Sequence, residues 1–427
     1  MRRLLIVSPH FPPTDAADMH RVRGGVNFYA RYGWEPAILA ISPETAGRPI
    51  EERLTRTVPD DLPIQRVDAL GVHVTRHLGL TASGLRGWVA LARAGSKLLA
   101  SGTYDLIYIS TTQFPIMTLG RYWQRRFGVP FVLDFQDPWF NAEFVNSQRS
   151  RQLKHRFMRA VHRKLEAMTV PHASGIISVS QKYIDVFRRR YPGLADVPAA
   201  EVPFGFNPKD IEVLQAIETP LVFDKTTCTG FYAGRAGAES VDFLRLLMKA
   251  LSSARQQWPD VFGAVRLQFV GTKYSNRETQ AFVTAAAREF GVSEAVQEQG
   301  DRIPYFNALD ATSRADFNIV LGSNDPAYRP SKLAILAEMG KPVVAAVGRD
   351  SVVERALGAF PQCAIGLLPD GEAGFEDAAA SLAGLWREVI CGAGRVPSPG
   401  PAKIQVSEAE KLAQQECRIF DRAVARS

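Results

Sequence analysis

The chain has only four cysteines in 427 residues, Cys228, Cys363, Cys391 and Cys417. None forms a CxxC pair or stands at a Cys/His spacing, which argues against a disulfide framework or a zinc site and leaves four reduced thiols. Long apolar runs are also missing. The first, Leu4 to Val7, stops at Ser8-Pro9, too short for a signal-peptide core or a membrane span. No later run reaches spanning length, so a cytoplasmic protein is expected. Walker, GxSxG, HExxH and EF-hand patterns are absent, and the loop after the first strand lacks the GxGxxG dinucleotide fingerprint. The basic residues lack the interleaved aromatics or modules of nucleic-acid binders, so no nucleic-acid partner is expected. There is no tandem repeat and no low-complexity tract.

What is present describes a folded protein: 46% apolar and 22% charged residues, in a length that accommodates about two to three domains. The net charge of +7 is unevenly placed. Residues 1–210 carry 28 Lys/Arg against 18 Asp/Glu, and the remainder 23 against 26. A basic half joined to a slightly acidic one suggests that one half faces an anionic surface or substrate.

The first half alternates short apolar runs ("RLLIVS", "EPAILAI", "YDLIYIS", "VPFVLDF", "SGIISVS") with amphipathic stretches such as 85–100 and 149–168. The second half repeats the pattern with "CTGFYAG", "VRLQFVG", "ADFNIVLG", "PVVAAVG" and "CAIGLLP", and helical spacing over 241–256, 278–290 and 375–389. Unbroken apolar strands alternating with helices imply parallel sheets covered on both faces. The expected fold is therefore α/β, with two doubly wound Rossmann-like domains over 1–205 and 212–395 and a last helix within 400–427, from about residue 406. "PFGFNPKDI", residues 203–211, reads as a hinge, and "GRVPSPGPAK" as a linker to the last helix. Ligands of such sheets bind beyond the carboxyl ends of the strands, so two domains facing each other would enclose the active site in a cleft.

In the second domain, "GFYAG" leads to Arg235 and "LQFVG" to Thr272-Lys273, while "FNIVLG" leads to "YRPSKLAILAEMGKPVVAA". That last stretch reads as a helix opened by Pro-Ser-Lys, closed by Gly340 and returned to a strand through Pro342. A lysine in a first helical turn is repelled by the helix dipole unless an anion sits there too. Arg235, Lys273 and Lys332, beside the backbone NH groups of Ser331 and Lys332, would suit a diphosphate. The competing reading of each is a solvated surface cation.

In the first domain, "SPHFPPTDAADMHRVRGG" follows the first strand, with His10 in a polar loop and a helix from about Asp18 that aims Arg21 and Arg23 toward the cleft. "DFQDPW" offers Asp134, Asp137 and Trp139 just past a strand. Carboxylates accept from sugar hydroxyls and an indole packs on a sugar ring. For Asp134 a turn-capping role competes, and a core role for Trp139; Asp137 is the better candidate. "RSRQLKHRFMRAVHRKLEAM" carries Leu153, Phe157, Val161, Leu165 and Met168 at helical spacing among basic residues. It reads as a helix with its stripe in the core, or as one lying on an anionic membrane.

Taken in order, "HFPP", "YGWEPAILA", "YDLIYISTTQFP", "GVPFVLDFQDPW", "SGIISVS", "VPFGFNP", "FYAGR", "ADFNIVLGS" and "PSKLAILAEMGKPVVA" resemble the family 4-like glycosyltransferases of the GT-B fold, over about residues 1–346. The resemblance implies transfer of a sugar from a nucleotide-diphosphate sugar to an acceptor, usually with retention and without a bound metal or other cofactor. It places the donor in the second domain and the acceptor in the first, with a closing helix returned to the first. It implies that Arg235 and Lys332 neutralise the leaving group, backed by the NH groups of Ser331 and Lys332. It leaves Asp137 as a catalytic candidate on the acceptor side, with His10, Arg21, Asp134 and Trp139 around it.

The sequence departs from the family at two points. Many relatives place a ribose-binding Glu where this chain has Ile335, the nearest being Glu338; and a lysine usual after Arg235 is missing, leaving Lys273 as a substitute. The implied activity is that of a glycosyltransferase in surface-glycan or lipid-linked saccharide assembly, peripheral at the inner face of the cell membrane, with a glycan or lipid-linked acceptor. The alternative is a catalytically silent GT-B protein that binds or regulates a partner. A sugar-nucleotide epimerase is disfavoured, because no acid/base carboxylate or histidine is identified in the donor domain.

Overall fold

The computed structural model describes residues 1–71, 83–139, 153–216, 223–273, 280–325, 328, 330–371, 373–393 and 407–426. The chain divides into two compact units, Met1–Val213 with Val406–Ser427, and Leu214–Gln405.

The first unit is built on seven parallel strands: β1 (Arg2–Val7), β2 (Trp34–Ile41), β3 (Ile64–Val67), β4 (Leu106–Ser110), β5 (Phe131–Phe135), β6 (Gly175–Ser178) and β7 (Ala199–Glu201). Their order is β3-β2-β1-β4-β5-β6-β7. The apolar runs are continuous because both faces are buried, and successive side chains go to opposite sides. Leu5, Val7, Leu39, Ile109 and Leu133 enter one core, and Leu4, Ile6, Ile38, Tyr108 and Val132 the other. The register Val7↔Leu39 and Val7↔Ile109 keeps these rows aligned across the sheet.

The last helix, Ser407–Ala425, packs on this sheet. Its Phe420 ring lies 5.7 Å from the rings of Tyr29 and Trp34 and 4.9 Å from that of Tyr108. Gly175 in β6 permits the approach, since a Cβ there would stand 2.9 Å from Ile419.

The second unit repeats the design with six parallel strands: β8 (Cys228–Ala233), β9 (Val265–Val270), β10 (Val296–Gln299), β11 (Phe317–Leu321), β12 (Val343–Gly348) and β13 (Cys363–Leu368). Their order is β10-β9-β8-β11-β12-β13. Helix Val241–Gln257 and helix Phe375–Ala393 cover one face through Phe243, Leu247, Leu251, Leu382 and Trp386. Leu333, Leu336, Val353 and Leu357 pack on the other. In both sheets the winding reverses between the first strand and the fourth, at β1/β4 and at β8/β11. This is the topological switch point, where the two flanking loops diverge and open a crevice at the strands' carboxyl ends.

All ten strands expected from apolar runs are present. Three more, β3, β7 and β10, are edge strands and read Ile-Gln-Arg-Val, Ala-Ala-Glu and Val-Gln-Glu-Gln. Their residues are half-buried or exposed, so no apolar run announces them.

The segment 203–211 is not a free hinge. Asn207 is buried and donates to the Thr57 carbonyl at 3.0 Å, and Lys209 donates to the Val58 carbonyl at 3.3 Å. Asp210 is fully buried in a two-pronged ion pair with Arg23, one arm of which is 2.8 Å long. These bonds make the segment part of the first unit, which runs on to Val213. The linker expected over 394–403, and the helix starts expected at residues 149 and 278, lie outside the described residues.

Candidate functional site

In the second unit the switch point falls between the loop after β8 and the chain that follows β11. The β8 strand ends at Ala233, and Gly234 has φ +147°, a conformation that strains any residue with a Cβ. Arg235 follows directly. The two loops are tied together: Asn324 N donates to Glu239 O at 3.0 Å, and Ser240 Oγ to Gly322 O at 3.1 Å.

After β11 comes helix Lys332–Met339, preceded by an exposed Ser331 and closed by Gly340 at φ +61°. The side chain of Lys332 reaches back to the end of β8. Its Nζ lies 3.3 Å from the centroid of the Tyr232 ring and 3.4 Å from the Ala233 carbonyl oxygen. Lys332 is half-buried as a residue, but its ammonium is covered by these groups, and burial pushes its pKa down to about 7. The Tyr232 hydroxyl donates to the Arg235 carbonyl at 2.5 Å, so one ring touches both cationic residues' surroundings. The Arg235 guanidinium is 43% exposed and pairs with Glu239 at 3.3 Å.

Lys273 takes a different direction. Its backbone NH donates to Gly300 at 3.1 Å and its methylenes lie against Gly300, beyond β10. The structure therefore brings Lys332 to the Ala233–Arg235 turn and lays the stem of Lys273 just past the end of the outer strand. Ile335 and Glu338 are both half-buried on helix Lys332–Met339, Glu338 about one turn past Ile335.

The switch point of the first unit holds a buried polar network. His10, after β1, is 1% exposed. Its Nδ1 is 2.7 Å from Asp18 Oδ1 and its Nε2 is 3.0 Å from Ser83 Oγ. A carboxylate only accepts, so Nδ1 carries a proton. Asp18 also accepts from Thr111 Oγ1 at 3.0 Å and Thr112 N at 3.4 Å. Burial opposes the charge on Asp18, but His10, Thr111 and Thr112 outweigh it and hold the carboxyl below its ordinary range.

Gln136 links this group to the next, donating to the Asp18 carbonyl at 2.9 Å and to Ser110 Oγ at 3.0 Å. Ser110 donates to Asp134 at 2.7 Å. Arg21, expected to aim toward a cleft, is turned into the fold. It is buried, with Nε 2.8 Å from Asp134 Oδ2, Nη1 3.5 Å from Glu416 Oε1 and Nη2 donating to Val202 O at 2.6 Å. Arg23 is likewise turned inward, to Asp210. Asp134 is fully buried, with Oδ2 held by Arg21. Burial raises its pKa, against the pull of Arg21. Glu416, on the last helix, accepts from Tyr29 at 2.6 Å and from Tyr108 at 3.3 Å, and burial pushes it up to about 7.

Trp139 is 5% exposed, stacked on Phe114 at 5.7 Å and donating from Nε1 to His162 Nδ1 at 3.1 Å. Its ring is a core element, not a sugar platform, because Phe114 occupies a face. Asp137, two residues before it, is exposed. Of the acceptor-side candidates, His10, Arg21 and Asp134 thus join one buried network, and Asp137 alone reaches the surface. Asp18, Ser83, Tyr232 and Glu416 were not anticipated. Asp18 and Tyr232 sat in quoted motifs, but only spatial contacts reveal their partners.

Among the described residues no cluster of three or more His, Cys, Asp or Glu could hold a metal ion. No described helix is long and apolar enough to cross a membrane. Helix Leu153–Thr169 does not bury its whole apolar stripe. Leu165 packs on the core, but Phe157 is 68% and Met168 54% exposed, beside Arg156, Arg159, Arg163 and Lys164.

Two doubly wound units of this kind define the GT-B class of fold, and residues 21–202 match the model of the glycosyl transferase 4-like domain family. The first unit accordingly carries a glycosyl transferase 4-like domain. The chain is similar to the sucrose-phosphate synthase of Thermosynechococcus elongatus, with 14% identity and a TM-score of 0.58 over 100% of both chains. It is also similar to the E. coli structure described as trehalose-6-phosphate bound with UDP-2-fluoro glucose, with 12% identity and a TM-score of 0.57 over 99% of this chain and 96% of that one. A third is Anabaena Alr3699/HepE in complex with UDP-glucose, with 15% identity and a TM-score of 0.54 over 100% and 99%. At these identities the likeness is one of fold. No curated protein matches the sequence.

Proposed function

We propose that the protein is a retaining glycosyltransferase that takes its sugar from a nucleotide-diphosphate sugar bound at the β8/β11 switch point of the second unit. The observation that carries this reading is the delivery of Lys332 to the Ala233–Gly234–Arg235 turn, which sets two cations at one strand end. As the glycosidic bond breaks, negative charge gathers on the leaving diphosphate. Fixed cations lower the barrier by stabilising that charge where it develops, so the chain needs no metal or cofactor for this step. Helix Lys332–Met339 adds the NH groups of Ser331 and Lys332 at its positive end. The relatives bound to UDP-glucose and UDP-2-fluoro glucose favour a uridine donor.

The first unit takes the acceptor, with Asp137 as the exposed carboxylate that meets a sugar hydroxyl. The exposed Phe157 and Met168 with four neighbouring cations suit an anionic bilayer, which favours a lipid-linked or surface-glycan acceptor at the inner face of the cell membrane. One observation favours the silent-partner reading instead: Ile335, a half-buried apolar residue, stands where a ribose-binding Glu is usual. Loss of one hydrogen bond to an uncharged ligand removes about 1–3 kcal/mol of affinity, not the chemistry. Calorimetric titration with UDP, GDP, dTDP and their sugars decides between them. Binding of one nucleotide, lost in Lys332→Ala, supports the transferase; no binding by a folded sample supports the silent partner.

A further inference from the structure

Tyr232 has no place in the transfer chemistry, yet it contacts the surroundings of both donor-binding cations. It is 3% exposed, anchored in the core beside Phe269 at 5.4 Å between ring centroids. Its face carries the Lys332 ammonium and its hydroxyl holds the carbonyl of Arg235. Between these contacts lies Gly234, where a Cβ would stand 3.6 Å from Lys332 Nζ and 3.7 Å from the Tyr232 hydroxyl oxygen. The turn that presents Arg235 is therefore clamped between the tyrosine and the lysine.

We infer that Tyr232 is a positioning residue that holds Lys332 and the Arg235 turn together, and that binding of a nucleotide diphosphate at this site is coupled to protonation of Lys332. The inference rests on the donor-site reading given above. The coupling follows from what surrounds the amine. Among the described residues it faces one carbonyl and one aromatic ring, which favour the cation only weakly, while burial favours the neutral form and leaves the amine titrating near neutrality. Among the described residues, the charged groups around the Tyr232 ring that the amine rests on are Arg235 and Glu239, which pair with each other, and Tyr328 is the neighbouring phenol. A diphosphate supplies two adjacent negative charges, enough to draw the proton back.

The test joins two measurements on the full-length protein. In the first, NMR of 13C-lysine-labelled protein follows the ε-methylene of Lys332, identified by its loss in Lys332→Ala. A ring 3.3 Å away shifts that signal upfield; Tyr232→Phe keeps the shift and Tyr232→Leu abolishes it. In the second, UDP and GDP are titrated calorimetrically at pH 8 in buffers of different ionisation enthalpy. Uptake of about one proton per nucleotide is expected in the wild type. Affinity is expected to fall about tenfold in Tyr232→Leu and less in Tyr232→Phe, which loses only the Arg235 bond. An unshifted ε-methylene in the wild type overturns the positioning role. Nucleotide binding with no dependence on the buffer overturns the coupling. A shifted signal with no binding of either nucleotide refutes the donor reading, and the coupling with it, while leaving the stacking intact.

Discussion

The Lys332 ammonium lies 3.3 Å above the Tyr232 ring, and this contact joins the two sides of the β8/β11 switch point. It also has a thermodynamic consequence, because a lysine held off water is a charge the fold accommodates for a purpose other than stability.

Lys332→Met should stabilise the protein. The folded-state pKa of Lys332 is near 7 against an ordinary 10.5, so between those values the unfolded chain binds more protons and wild-type stability rises with pH. Below pH 7 the lysine is charged in both states and its burial penalty is fully expressed; above pH 10.5 it is neutral in both. The residue is only half-buried, so the gain for Met is set at about 1–2 kcal/mol at pH 6, shrinking toward pH 10. Thermal unfolding across that range checks it, and a gain that grows with pH contradicts it.

Turnover should fall at least tenfold in Lys332→Ala and in Arg235→Ala, with unfolding still cooperative. Asp137→Asn should separate the two substrates: the rate of transfer drops while the nucleotide dissociation constant stays near the wild-type value. The reverse pattern, with weakened nucleotide binding and normal turnover at saturation, refutes an acceptor-side role for Asp137.

Glu416→Gln should flatten the pH dependence of stability near neutrality. A carboxyl raised from 4.5 to about 7 stabilises fully below 4.5, and the stabilisation is lost as pH rises through 7. The groups facing it are Arg21, Tyr29, Tyr108, Asp134 and Cys417. Asp134, also raised, acts in the same direction, so the variant isolates the share of Glu416. At pH 8 the variant should be more stable than wild type by on the order of 1–2 kcal/mol, and equal to it at pH 4.5. A difference in stability between variant and wild type that stays constant, or shifts in favour of wild type, from pH 5 to 8 refutes the assignment.

The sheets were legible in the sequence because strands buried on both faces must be apolar throughout, as Leu4–Val7 and Val343–Val347 are. Strands β3, β7 and β10 were not, since half-exposed residues such as Gln65, Glu201 and Glu298 break the pattern. Lys332 could be singled out because a cation at a helix start contradicts the dipole. The buried places of Arg21 and Asp134 were not legible for a different reason: Arg21 meets Asp134 on β5 and Glu416 in the last helix, hundreds of residues on, and no local spacing encodes those meetings. The turn-rich 203–211 resembled a hinge until Arg23 and Thr57, far upstream, were seen to hold it.

Helix Leu153–Thr169 makes the membrane reading testable. It exposes Phe157 and Met168 beside several basic residues. Against an anionic bilayer both features are favourable: the side chains leave water and the cations find lipid phosphates. Each basic residue near such a surface contributes about 1 kcal/mol, so Arg159→Ala with Arg163→Ala should weaken binding to phosphatidylserine vesicles roughly 30-fold. Phe157→Ser should weaken it further and independently of salt, whereas the arginine effect should vanish as ionic strength rises. Co-sedimentation with anionic and with neutral vesicles measures both. Equal binding to the two, or none to either, would leave the helix a basic surface of the first unit and remove the argument for a membrane-borne acceptor.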